Sequence, residues 1–171
     1  MDSNKLQKPI GLASDHAGFL LKQFVKQYLD KKQIPYKDYG TYSEESCDYP
    51  DYAHALARGI ESQECEKGIA ICGSGEGISM TLNKHQDIRA ALAWMPEIAH
   101  MTRLHNDANV LVMPGRYISL VTAEAIMDEF FNTPFEGGRH IRRIEKIPFA
   151  IYRRLCYFGI YYRSYYRSCQ V

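Results

Sequence analysis

The stretch 67–80, KGIAICGSGEGISM, runs from a short apolar segment through Cys72 into three glycines within five residues and then a helix-like start. A segment this short, apolar at consecutive positions and closed by glycine, reads as a strand buried on both faces. The same alternation spreads outward. Upstream, PIGLAS (9–14) precedes the amphipathic GFLLKQFVKQYLDKK (18–32), with Phe19, Leu20, Phe24, Val25 and Tyr28 expected on one inward face. IPYKDYG (34–40) then precedes a helix that starts near Pro50. Downstream, IRAALAW, PEIAHMTRLHND, NVLVMPG and LVTAEAIMDEFF repeat the unit. Strands alternating with helices argue for an α/β fold: a mostly parallel sheet of about five strands, with helices on both faces.

In open sheets of this kind ligands bind beyond the carboxyl ends of the strands. The residues there are Asp15 and His16 after the first strand, Cys72 to Gly77 after the middle one, and Pro114, Gly115 and Arg116 after the last. Three chemically loaded loops at one sheet edge locate the candidate site.

Composition narrows the class. With 171 residues, 46% hydrophobic and 24% charged, the chain is large enough for one domain with a sizeable core. A net charge of +1 provides no global attraction to nucleic acid or membrane. The five cysteines, at 47, 65, 72, 156 and 169, form no C-x-x-C pair and no disulfide framework, which fits a reducing cytoplasm. No apolar run approaches membrane-spanning length. The expected domain spans residues 1–154. Beyond it, residues 155–171 form a Tyr/Arg-rich extension with a tandem YYRS at 161–164 and 165–168. It reads as a continuation of the last helix that packs on the body or a partner subunit, or as a partly ordered tail. The other reading is a basic aromatic tail for nucleic acid or membrane.

The glycine loop fits no common nucleotide pattern. G-x-x-x-x-G-K-[ST] is absent, the third glycine of the dinucleotide fingerprint would fall at Ile78, and a phosphatase-type cysteine loop would need arginine at that same place. What remains is a glycine turn at a helix start, where unpaired N–H groups favour an anion or a developing oxyanion. A cysteine at such a turn is either a small core residue or a thiolate whose pKa, ordinarily about 8.5, falls toward that of a general base. Arg139 and Arg143, four apart in EGGRHIRRIEK (136–146), share one helix face and suit a phosphate, or form a solvated basic face. His105, in HND before a strand, is either an acid/base or a helix cap. No histidine pair shows metal-ligand spacing.

Seven segments then occur in one order: ASDHAGF (13–19), DYPDYA (48–53), CGSGEGIS (72–79), NK (83–84), HNDANVL (105–111), GR (115–116) and FEGGRHIRRIE (135–145). The set closely resembles the type B ribose-5-phosphate isomerases and their galactose-6-phosphate isomerase relatives, over about residues 9–154. The resemblance implies a Rossmann-like three-layer α/β/α fold. It also implies a homodimer, with tetramers possible, whose active sites are shared between subunits, and metal-independent aldose–ketose isomerisation with no cofactor. Carried over by position, Cys72 is the catalytic base, His105 helps open the sugar ring, and Asp15 is a polar group near the ring oxygen. His16, Arg116, Arg139 and Arg143 hold the phosphate. Gly73, Ser74, Gly75, Glu76 and Gly77 form the loop whose N–H groups hold the enediolate oxygen, and Asn106 contacts a sugar hydroxyl. Some members of this family have glycine at the cysteine position and a glutamate where Ile78 stands here; Glu76 is two residues too early to replace it.

The expected function is therefore cytoplasmic interconversion of ribose 5-phosphate and ribulose 5-phosphate, with no nucleic-acid or membrane partner. Rival readings are a hexose 6-phosphate substrate (allose or galactose) and a non-catalytic sugar-phosphate or nucleotide binding module. A pure binder needs the cations but neither Cys72 nor His105.

Overall fold

The computed structural model describes residues 8–148. Residues up to 136 belong to one compact unit and residues from 137 onward to a second. The boundary expected near residue 154, and the Tyr/Arg-rich extension, lie outside the described residues.

In the first unit the elements follow as β1 (Ile10–Ser14), a 3-10 turn (His16–Gly18), α1 (Phe19–Lys31), β2 (Tyr36–Asp38), α2 (Tyr49–Glu61), β3 (Lys67–Cys72) and α3 (Glu76–Leu82). Then come β4 (Ala90–Leu92), α4 (Pro96–Asn106), β5 (Val110–Pro114) and α5 (Leu120–Asn132). The five strands form one sheet in the order β2-β1-β3-β5-β4, and every pairing is parallel. β1 and β5 are buried throughout and β3 from Gly68 onward, so these strands read as continuous apolar runs. The two edges, β2 and β4, are three residues each and only partly covered. Their short length limits pairing with another sheet.

Side chains alternate strictly across the sheet. Ile10, Leu12, Ile69, Ile71, Leu111 and Met113 enter one core with α1, α4 and α5. Ala13, Ala70, Cys72, Val110 and Val112 enter the other with α2 and α3. The result is the three-layer α/β/α arrangement expected from the alternating pattern.

The inward face of α1 differs from the sequence expectation. Leu21, Lys22, Val25, Tyr28 and Leu29 are buried, Phe24 is only partly covered, and Leu20 is 65% exposed. Leu20 and Leu21 are adjacent, about 100° apart on a helix, and the 21-25-28 row fits the core. That choice carries Lys22 inside with it. The charge is tolerated because Nζ meets Asp38 Oδ1 at 2.5 Å and the Thr41 carbonyl at 2.6 Å.

The chain leaves β1 toward β2 and leaves β3 toward the opposite side of the sheet. β1 and β3 are neighbours, so a crevice opens between their carboxyl ends.

In the second unit, Gly137 (φ 74°) and Gly138 (φ 56°) precede the short helix α6 (Arg139–Ile144). Arg139 and Arg143 are both exposed, one turn apart.

Candidate active site

The β1/β3 crevice collects five of the expected features: Asp15, His16, Cys72, the glycine loop and Arg116. At the end of β1, Asp15 is 6% exposed, and its Oδ1 accepts the Gly18 N–H at 2.9 Å, capping the turn that carries His16. At the end of β3, Cys72 is 4% exposed and faces the α2/α3 core. It is a free thiol. It packs in the α2/α3 core and does so at the crevice lip.

The glycine loop follows directly. Gly75 has φ +80°, a left-handed conformation, and a Cβ there would stand 2.4 Å from Leu92 Cδ1. Only glycine fits this turn. Ser74 and Glu76 are exposed, with the Glu76 N–H donating to Ser74 Oγ at 3.3 Å. Tyr49, from the DYP segment, packs its ring on Gly77, 2.6 Å from the point a Cβ would occupy. The third loop is tied to the second by Gly115 N–H to Cys72 O (2.9 Å) and Arg116 N–H to Gly73 O (3.0 Å). The Arg116 Nε lies 3.8 Å from where a Gly73 Cβ would stand, so its side chain runs beside the glycine loop.

Two contributors escaped the sequence reading. Cys47, in the loop before α2, places its N–H 3.2 Å from His16 Nδ1. Lys22 holds the start of the same loop through Thr41 and Asp38. Burial holds the Lys22 pKa below the ordinary lysine value, with Asp38 acting in the opposite sense. A backbone donor leaves no mark in residue identity. A buried lysine is recognised only once its partner, 16 residues on, is known.

His105 and Asn106 are not brought to this crevice. They end α4, which runs antiparallel to the strands and finishes four residues before β5 begins. β5 starts level with the start of β3, since Gly68 pairs with Val110 and Cys72 with Pro114. Cys72 and the last turn of α4 therefore lie at opposite ends of the strands, separated by at least four strand steps, or about 13 Å along the strands. At the far end His105 Nε2 is 3.6 Å from Glu136 Oε2. Arg89 donates to the Asn106 carbonyl at 3.2 Å and to the Asp107 carbonyl at 2.8 Å, closing the end of the helix. Arg139 and Arg143 belong to the second unit.

Among the described residues no helix is long and apolar enough to cross a membrane.

The profile of the Ribose/Galactose Isomerase family matches residues 10–147. The chain is 40% identical over 147 residues to ribose-5-phosphate isomerase B of Escherichia coli K12, covering 86% of this chain and 99% of that relative. Among solved structures, a ribose 5-phosphate isomerase from Thermotoga maritima superposes with a TM-score of 0.81 at 52% identity, over 83% of this chain and 98% of that one. Ribose-5-phosphate isomerase B from Mycoplasma genitalium, solved with bound ribulose 5-phosphate, gives a TM-score of 0.79 at 37% identity, over 87% and 98% of the two chains.

Proposed function

The chain belongs to the ribose/galactose isomerase family, and from that premise we propose that it interconverts ribose 5-phosphate and ribulose 5-phosphate, with Cys72 as the base. The observation that carries the reading is the meeting of Cys72, the glycine loop, Asp15, His16 and Arg116 at the β1/β3 crevice.

The reaction moves one proton between adjacent carbons. In the open-chain aldose the Cys72 thiolate takes the C2 proton. The C2–H pair becomes the C1=C2 bond, and the carbonyl pair moves onto O1. The enediolate charge rests on loop N–H groups from Gly73 to Gly77, where preorganised donors act most strongly. Transfer of the O2 proton to O1, as the proton on Cys72 returns to C1, yields the ketose and restores the thiolate. Asp15 lies near the ring oxygen, and His105 moves the proton needed to open the ring. His16, Arg116, Arg139 and Arg143 offset a phosphate of about −1.5 to −2 charges.

His105 and Asn106 stand at the wrong end of their own sheet for this scheme, so we assign them to the crevice of a second copy. A homodimer with shared sites is consistent with the exposed apolar residues Met80 (62%), Trp94 (52%), Met95 (40%) and Met101 (40%) on and around the elements flanking edge strand β4. We place the enzyme in the cytoplasm, where the free thiols Cys47, Cys65 and Cys72 stay reduced.

The test is turnover of ribose 5-phosphate by the purified protein, with allose 6-phosphate and galactose 6-phosphate alongside, each with and without chelator. Ribose 5-phosphate is expected to be converted fastest and without metal. Faster turnover of a hexose phosphate would transfer the assignment to that sugar. No turnover of any of the three would leave only the binding-module reading.

A further inference from the structure

We propose that Lys22 is a positioning residue for the phosphate end of the site: its buried ammonium pins the 38–48 loop so that the Cys47 N–H holds His16 with the proton on Nε2. The inference rests on the isomerase reading above and adds to it a device that sets which His16 nitrogen faces the substrate.

The loop is fastened at both ends. At its start, Lys22, 1% exposed, donates to Asp38 Oδ1 at 2.5 Å and to the Thr41 carbonyl at 2.6 Å, and its Nζ stands 5.3 Å from the Tyr42 ring centroid. Asp38 is further committed to the Gly40 N–H at 2.9 Å and to Lys26 Nζ at 3.2 Å. Two backbone bonds of 2.7 Å, Ser14 N–H to Gly40 O and Thr41 N–H to Ser14 O, join this knot to the residue just before Asp15 and His16. At the far end, the Cys47 N–H lies 3.2 Å from His16 Nδ1.

The contact at Cys47 has a chemical consequence. A backbone N–H can only donate, so where this contact is the one made, Nδ1 accepts and the ring proton sits on Nε2. The same Nδ1 is 3.3 Å from the Cys47 carbonyl, the partner it would turn to if it carried the proton itself. One residue thus presents both a donor and an acceptor to Nδ1 at nearly equal distance, and on this proposal the Lys22 anchor tips the balance toward the N–H. With the loop held, Nε2–H is the donor available to a phosphate oxygen. With the loop released, an unprotonated Nε2 would meet the phosphate lone pair to lone pair.

The experiment uses the full chain with Lys22→Met and the double variant Lys22→Met/Asp38→Asn, which removes the carboxylate charge left behind by the first change. Three quantities are read: melting temperature, KM and kcat for ribose 5-phosphate, and the ring nitrogen shifts of His16 by NMR of histidine-labelled protein. Lys22→Met is expected to raise KM about tenfold with kcat within about twofold, the pattern of lost ground-state binding, and to shift His16 toward the Nδ1–H form. The double variant should recover melting temperature but neither KM nor tautomer. A folded variant with wild-type KM and unchanged His16 shifts would overturn the proposal. So would a KM that recovers together with melting temperature, since that would make Lys22 a matter of stability alone. If the wild-type protein turns over no sugar phosphate, the isomerase reading falls, while the His16 shifts still decide whether Lys22 sets the tautomer.

Discussion

Replacing the Cys72 sulfur by oxygen, as in Cys72→Ser, keeps a small polar group at the end of β3 but removes the thiol proposed as the base. The expected result is a fall in kcat of about 10²- to 10⁴-fold with KM nearly unchanged, measured by steady-state kinetics on ribose 5-phosphate. Retained kcat would return Cys72, 4% exposed and packed with Ala13, Ile78 and Val112, to a core role. At this scale much was legible. Asp15, Cys72 and Arg116 each follow an apolar run within two residues of its end, so strand reading alone brought them to one edge. Lys22 and Cys47 were not legible. One acts through a partner distant in sequence and the other through a backbone N–H that every residue except proline possesses.

Element packing makes two further demands. The turn that carries His16 lies so close to β3 that a Cβ on Gly18 would stand 2.5 Å from the Ile71 carbonyl oxygen. Gly18→Ala should therefore destabilise by about 1–3 kcal/mol, read as a lower urea midpoint, because the clash is with backbone that cannot rotate away. On the opposite face, α2 meets the turn after α3 through His54 Nδ1 and His85 Nε2 at 2.8 Å, with His85 Nδ1 at 3.1 Å from both Glu61 oxygens. Burial lowers the His54 pKa, the charges of His85 and Arg58 lower it further, and Asp51 opposes them. The folded state thus binds fewer protons than the unfolded state below about pH 6.5. Stability is complete above that value and declines as pH falls through it toward the lowered pKa. Urea midpoints should fall between about pH 7 and pH 5, and His54→Gln should flatten the decline. An unchanged slope in the variant would assign the effect to other groups. Strand and helix order was readable from periodicity, but the inward row of α1 was not: neighbouring leucines at 20 and 21 satisfy the pattern equally, and only the shape of the core selects Leu21.

For the whole molecule, the decisive fact is that Cys72 and His105 lie toward opposite ends of the strands of one sheet. If each site is shared, refolding a mixture of Cys72→Ser and His105→Asn chains, each nearly inactive alone, should restore about a quarter of wild-type activity. Half of randomly paired dimers are mixed, and one of their two sites keeps both residues. No recovery in mixed dimers would place the whole site within one chain. The chain's periodicity determined a mostly parallel sheet of about five strands, and its seven ordered segments determined the family, because apolar spacing and local motifs are properties of neighbours in sequence. Which residues meet was decided only by tertiary structure. Strand order brings β1 and β3 together, antiparallel return of α4 carries His105 away from the cysteine, and burial of Lys22 ties a loop to His16. These depend on separations of tens of residues, which packing and charge pairing resolve and local pattern does not.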